Sequence, residues 1–137
     1  MNFVHRVAAA TLALVFAAGC SSAGTTQQST TTKTVSDRNN DTTVTLHVGE
    51  RLRVRLASTY WTIHTASAPT VLRSDGQPVT TPQPNGCVPG AGCGTQTATF
   101  TALKHGTATV TASRTTCGEA LQCTRTNGFY TISVDGN

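Results

Sequence analysis

From Thr97 to Ala102 the apolar residues Ala98, Phe100 and Ala102 take the even positions and threonines the odd ones, the two-residue period of a half-buried strand. After Lys104-His105-Gly106 the same parity returns through Ala108, Val110 and Ala112. The pattern predicts a central hairpin whose two strands share one buried face, with small alanines that let a second sheet approach closely. Upstream, Val44, Leu46 and Val48 alternate before Gly49-Glu50, and Leu52, Val54 and Leu56 alternate after it. These are a second hairpin-like pair or two strands traded between sheets. Ser58 to Ile63 reads as a third strand, with Trp61 and Ile63 on one side, Trp61 as a core anchor, and Tyr60 on the other side. Val71-Leu72 and the alternating Tyr130, Ile132 and Val134 complete a set of about seven strands, with no amphipathic helix between them. The expected fold class is all-β: an Ig-like antiparallel β-sandwich over residues 42–135.

The connections carry the unusual chemistry. Cys87-Val88-Pro89-Gly90-Ala91-Gly92-Cys93-Gly94 holds three glycines, a proline and two cysteines in one short run, which suits neither helix nor regular strand and predicts a shaped loop. A phosphate cradle would require Gly-Lys-Ser/Thr opening a helix, and here a threonine-rich strand follows. Ser74 to Pro89 is a long Pro, Gly and Thr-rich connection. Cys117 to Asn127 is a second non-regular excursion.

Composition sets the address. At 137 residues, 37% of them hydrophobic, the chain has room for one small core. His5-Arg6 followed by the apolar run Val7 to Ala18 has the form of an export leader, too short to span a bilayer. Ala17-Ala18-Gly19-Cys20 is similar to the lipobox of bacterial lipoproteins. That resemblance implies cleavage after residue 19, a lipid on Cys20 and an extracytoplasmic envelope location. Ordinary signal-peptidase cleavage is the other reading. Residues 20–41 are rich in Ser, Thr, Gln and Asn, with Val35 nearly alone as a large apolar residue. They predict a disordered tether, holding the domain on the order of 25 Å from its anchor.

Five cysteines fit this address, because a lipid on Cys20 leaves an even set of four for disulfides. Three connectivities are open to four cysteines. The equal spacing of Cys87 with Cys93 and of Cys117 with Cys123 points to two local loops. A four-cysteine zinc site would require Cys-x-x-Cys knuckles, so no metal or cofactor is expected.

The net charge of +4, with 12% charged residues, is too sparse for a nucleic-acid footprint. Arg51, Arg53 and Arg55 form one cationic face, a ladder with about 7 Å between neighbours. It suits carboxylates or anionic polymers, or is simply a solvated strand face. His47, His64 and His105 are scattered, and neither a Gly-x-Ser-x-Gly elbow nor a His-Glu-x-x-His pair occurs. An enzyme is not expected.

The order Val48-Gly49-Glu50, Tyr60-x-Thr62, a glycine loop, Gly94-Thr95-Gln96-Thr97-Ala98-Thr99-Phe100 and Ala102-Leu103-Lys104-x-Gly106-Thr107-Ala108 resembles chagasin-type inhibitors of papain-like cysteine peptidases. The resemblance covers about 90 residues and implies an Ig-like sandwich that inserts three loops into a peptidase cleft. Gly90-Ala91-Gly92-Cys93-Gly94 is the counterpart of the family's Gly-x-Gly-Gly loop. The Asn-Pro-Thr-Thr-Gly loop is shortened to Ala57-Ser58-Thr59, and the Arg-Pro-Trp loop is replaced, since Thr115-Thr116-Cys117 follows Ser113-Arg114. The strand from Gly106 to Ala112 also resembles bacterial Ig-like group 2 modules. The candidate binding residues are Tyr60, Gly90, Ala91, Gly92 and Gly94, with Gly118 and Glu119 in the second cysteine loop. Two functions follow as expectations. One is a lipid-anchored, non-catalytic module that presents its loops to a protein or wall partner. The alternative is a chagasin-like inhibitor of papain-family cysteine peptidases with remodelled loops.

Overall fold

A computed structural model describes residues 30–137. The leader 1–19, Cys20 and the first part of the expected tether lie outside the described residues. Eleven strands form two main sheets and a small hairpin. The first sheet orders β1 (Thr32–Ser36), β3 (Arg51–Ala57), β7 (Gly94–Ala102) and β5 (Leu72–Ser74), with β6 (Val79–Pro82) also on β7. The second orders β2 (Thr42–Leu46), β11 (Phe129–Gly136), β8 (Gly106–Ser113) and β4 (Thr62–Ile63). β9 (Thr116–Gly118) and β10 (Leu121–Gln122) pair only with each other.

The sandwich is the expected one, and its core follows the alternation. Leu52, Val54 and Leu56 are fully buried, while the arginines between them are exposed. Ala98, Phe100 and Ala102 on β7 face Ala108, Val110 and Ala112 on β8 and Tyr130, Ile132 and Val134 on β11 within one core cluster. Trp61 and Ile63 are buried in the same cluster.

Four expectations are corrected. β7 and β8 are not a hairpin: β7 pairs with β3, β5 and β6, whereas β8 pairs with β11 and β4. Inward parity is the same whether two strands share a sheet or face each other across the core, so Lys104-His105-Gly106 turns the chain from one sheet to the other. Gly106 makes that crossing with φ +141, its Cα so close to Val71 that a Cβ would stand 3.0 Å from it. β2 and β3 are traded between the sheets, the second of the two arrangements expected for them. The sandwich is mixed rather than purely antiparallel, since β1 runs parallel to β3 and β2 parallel to β11. Val48 does not continue the inward face of β2; it is 47% exposed in the turn that Gly49 makes at φ +90.

The fourth correction concerns the tether, which is ordered from Thr32. Residues Thr32 to Ser36 add a strand to the edge of the first sheet, where backbone hydrogen bonds along β3 provide what one apolar side chain could not. Val35 is buried beside Val54. Lys33, on the same inward side, reaches across the open edge to the Thr45 carbonyl on β2 and to Glu50. A 3₁₀ turn, Asp37–Asn39, then carries the chain to the second sheet. Asn39 Oδ1 accepts the Ser36 N–H at 2.9 Å, and Asn40 Oδ1 accepts the Thr131 N–H at 2.8 Å, pinning the crossing to β11.

Candidate functional site

At the end of the sandwich where β3, β8 and β1 finish, three segments remote in sequence come together. The chain leaves β3 at Ala57 and turns sharply through Ser58, whose φ of +123 is rare for a side-chain-bearing residue. Two backbone bonds hold this short turn against the glycine loop: Ser58 N–H to Gly94 O at 2.9 Å, and Thr59 N–H to Gly92 O at 2.8 Å. The Tyr60 hydroxyl then donates to Gly90 O at 2.8 Å. A Cβ at Gly92 would overlap the Tyr60 ring, and Gly92 sits at φ +63. Glycine is required there for both reasons.

Cys87 and Cys93 are disulfide-bonded, as are Cys117 and Cys123, so both local loops are present. The first staple closes a turn in which Ala91 N–H bonds Val88 O at 3.1 Å. The second ties the β9–β10 hairpin, in which Gly118 ends β9 and Glu119 and Ala120, the latter at φ +53, form the tip. The two stapled loops meet: a Cβ at Gly90 would lie 3.2 Å from Glu119 Cγ. Tyr60, Gly90, Ala91, Gly92, Gly94, Gly118 and Glu119 therefore belong to one surface. Val88 and Leu121, 62% and 59% exposed, stand on the two stapled loops.

Arg51, Arg53 and Arg55 are not part of that surface. They project from the outer face of the first sheet, in register with Thr32, Thr34 and Ser36 on one side and Thr101, Thr99 and Thr97 on the other. Arg51 shares Asp75 with Arg73, at 3.7 and 3.6 Å, while Arg53 and Arg55 make no ion pair among the described residues. His47 and His105 lie at the opposite end. There the Glu50 carboxyl is held below its usual range, chiefly by the His47 backbone N–H it accepts at 2.8 Å. Among the described residues no three His, Cys, Asp or Glu side chains gather as a metal site.

No protein-family model and no curated protein matches the sequence. Solved structures do match in shape. A cysteine protease inhibitor of Entamoeba histolytica, EhICP2, superposes with a TM-score of 0.57 at 13% identity, over 80% of this chain and 98% of that one. Amebosin, solved in solution, superposes with a TM-score of 0.53 at 15% identity, over 78% of this chain and 98% of that one. The chain has the chagasin-type fold. Nearly the whole of each neighbour is matched, so the shared unit is the entire sandwich.

Several participants had escaped the sequence. Arg114 stacks its guanidinium on the Trp61 ring, 4.4 Å from the centroid, so Trp61 is both a core anchor and a platform. Arg114 Nε donates to Asn127 O at 3.0 Å, and Gly128 is wedged where a Cβ would meet three neighbouring atoms at 2.9 Å. Phe129, the first residue of β11, is 58% exposed beside them. The isolated cation at Arg114, next to a cysteine loop and matched by one tryptophan far upstream, was the only signal available.

Proposed function

We propose that this chain is a non-catalytic inhibitor of papain-family cysteine peptidases, which it blocks with the loop-bearing end of its sandwich. A fold by itself serves many functions. What carries the reading is the convergence of the Ser58–Tyr60 turn, the glycine loop and the second stapled loop on one edge, in a fold shared with a cysteine protease inhibitor. Glycines at 90 and 92 let the loop backbone pack tightly on Glu119 and on the Tyr60 ring, which fixes the shape it offers to a cleft. The Cys87–Cys93 staple and the Tyr60–Gly90 bond hold its shape before binding, which lowers the ordering cost of association. By the sequence resemblance, the segment with Glu119 and the second staple replaces the family's third loop, giving the remodelled set a different edge.

Comigration with a papain-family peptidase whose nucleophile has been alkylated tests the reading. The chain is expected to elute as a one-to-one complex, and Gly92→Ala to weaken that complex at least tenfold. Separate elution at micromolar concentrations would overturn it.

The inhibitor is further proposed to act at the cell envelope, exported and held there by lipid on Cys20. Cys20→Ala should release it into soluble fractions, and unchanged membrane association would contradict the anchor. A second reading, a wall-binding module, is favoured by the outer arginine face, where Arg53 and Arg55 lack acidic partners among the described residues. It requires salt-sensitive retention on an anionic wall polymer that Arg53→Gln with Arg55→Gln abolishes.

A further inference from the structure

β1 pairs with β3 in parallel, Thr32 opposite Arg51 and Ser36 opposite Arg55. β3 runs towards the loop-bearing end, where Ala57 leads into the Ser58 turn. The chain therefore enters the domain at the other pole. There the Arg51 N–H donates to Thr31 O at 2.9 Å, beside the turn from His47 to Glu50. The crossing from Lys104 to Gly106 belongs to the same pole, because the Gly49 N–H donates to Ala102 O at 2.8 Å. An antiparallel β1 would have brought the chain in beside Ala57, against the glycine loop. Between the two poles stand the nine residues of β7, a strand about 25–30 Å long.

Order in β1 also shortens the covalent link to the proposed anchor. Residues 21–31, eleven in all, reach at most about 40 Å when fully extended. Turning the domain over would use most of that reach to run back along the height of the sandwich. We infer that the loop-bearing end faces away from the membrane, so that the partner it takes is a peptidase approaching from the medium. The inference rests on the two proposals above, the inhibitor and the lipid on Cys20, and adds a direction that neither contains. The Ser58–Tyr60 turn, the glycine loop and the second staple stand at the far pole, while His47 and His105 stand at the pole nearer the bilayer. A peptidase docked on the loops then has no bilayer beneath it to exclude it. Anchoring leaves its affinity unchanged.

The lipidated chain in phosphatidylcholine vesicles is compared with the Cys20→Ala chain in solution, each titrated with an alkylated papain-family peptidase. The two dissociation constants should agree within about twofold. A lipidated chain lacking residues 22–29, which holds the entry pole close to the bilayer, should agree as well. A tenfold loss of affinity on anchoring or on shortening would turn the loops towards the membrane and overturn the inference. Energy transfer from tryptophan to a dansyl-labelled lipid headgroup reads the direction without any peptidase. Trp61 is the only tryptophan, and its indole N–H bonds Ala57 O at the loop-bearing end. It should transfer little, whereas the second tryptophan of His105→Trp should raise the transfer about threefold. Transfer from the wild-type chain as strong as from His105→Trp would also overturn the inference. The underlying proposals fail separately. Absence of capture by the Cys20→Ala chain removes the inhibitor while the transfer still reports the direction, and a chain that stays out of the vesicles removes the anchor and this inference with it.

Discussion

The Tyr60 ring fills the space that a side chain at Gly92 would take, and its hydroxyl is bonded to Gly90 O. One residue therefore sets the shape of the glycine loop twice, by volume and by hydrogen bond. Tyr60→Phe keeps the volume and removes the bond, which is worth about 1 kcal/mol. It should weaken peptidase capture about fivefold and lower stability by no more than that same ~1 kcal/mol, seen as a small fall in the unfolding midpoint. Gly92→Ala acts on both and should cost more. Binding isotherms with the alkylated peptidase separate the two variants. Tyr130 makes a different case: burial, with a smaller contribution from Asp37, pushes its pKa up to about 12. The folded state favours the neutral phenol. Its contribution is fully present below the unfolded pKa near 10 and is lost as pH rises from there to about 12. Urea midpoints measured across that window should fall, and Tyr130→Phe should flatten the fall.

At the scale of elements, β1 is the strand that decides where the domain begins. Val35 is buried against the core, flanked by exposed Thr34 and half-buried Ser36. Val35→Ala should lower stability by about 2 kcal/mol through lost burial and a residual cavity, read as a lower urea midpoint at unchanged slope. A loose tether would give no shift. The same strand shows what the amino acids could reveal. β3, β7, β8 and β11 were legible because strict alternation of Leu, Val, Ala or Ile with Thr or Arg marks the buried face. The pairing partner was not, since Ala98 and Ala108 have the same inward parity whether their strands are neighbours or opposite. β1 was illegible because its order comes from backbone bonds to β3, which Thr32-Lys33-Thr34 cannot advertise. At the site, the cysteine spacing and the glycines of the loop were visible. The contacts Tyr60 to Gly90 and Arg114 to Trp61 were not, because they join residues 30 and 53 positions apart through folds of the backbone.

At the scale of the molecule, the core and the loop-bearing end depend on different forces. The core is a continuous apolar cluster drawn from both sheets and includes none of the four disulfide cysteines. The two short staples contribute only about 2 kcal/mol each by chain entropy, and their main work is to hold the loops in one shape. Reduction should therefore leave far-UV circular dichroism close to that of the oxidised protein while peptidase capture falls more than tenfold. Loss of the sandwich signal on reduction would assign the staples to the core instead. The most direct test of the account is an inhibition titration of the oxidised domain against papain-family peptidases, with substrate varied. The prediction is reversible, substrate-competitive inhibition at or below micromolar concentration, weakened at least tenfold by Gly92→Ala. Full peptidase activity at micromolar domain would contradict it.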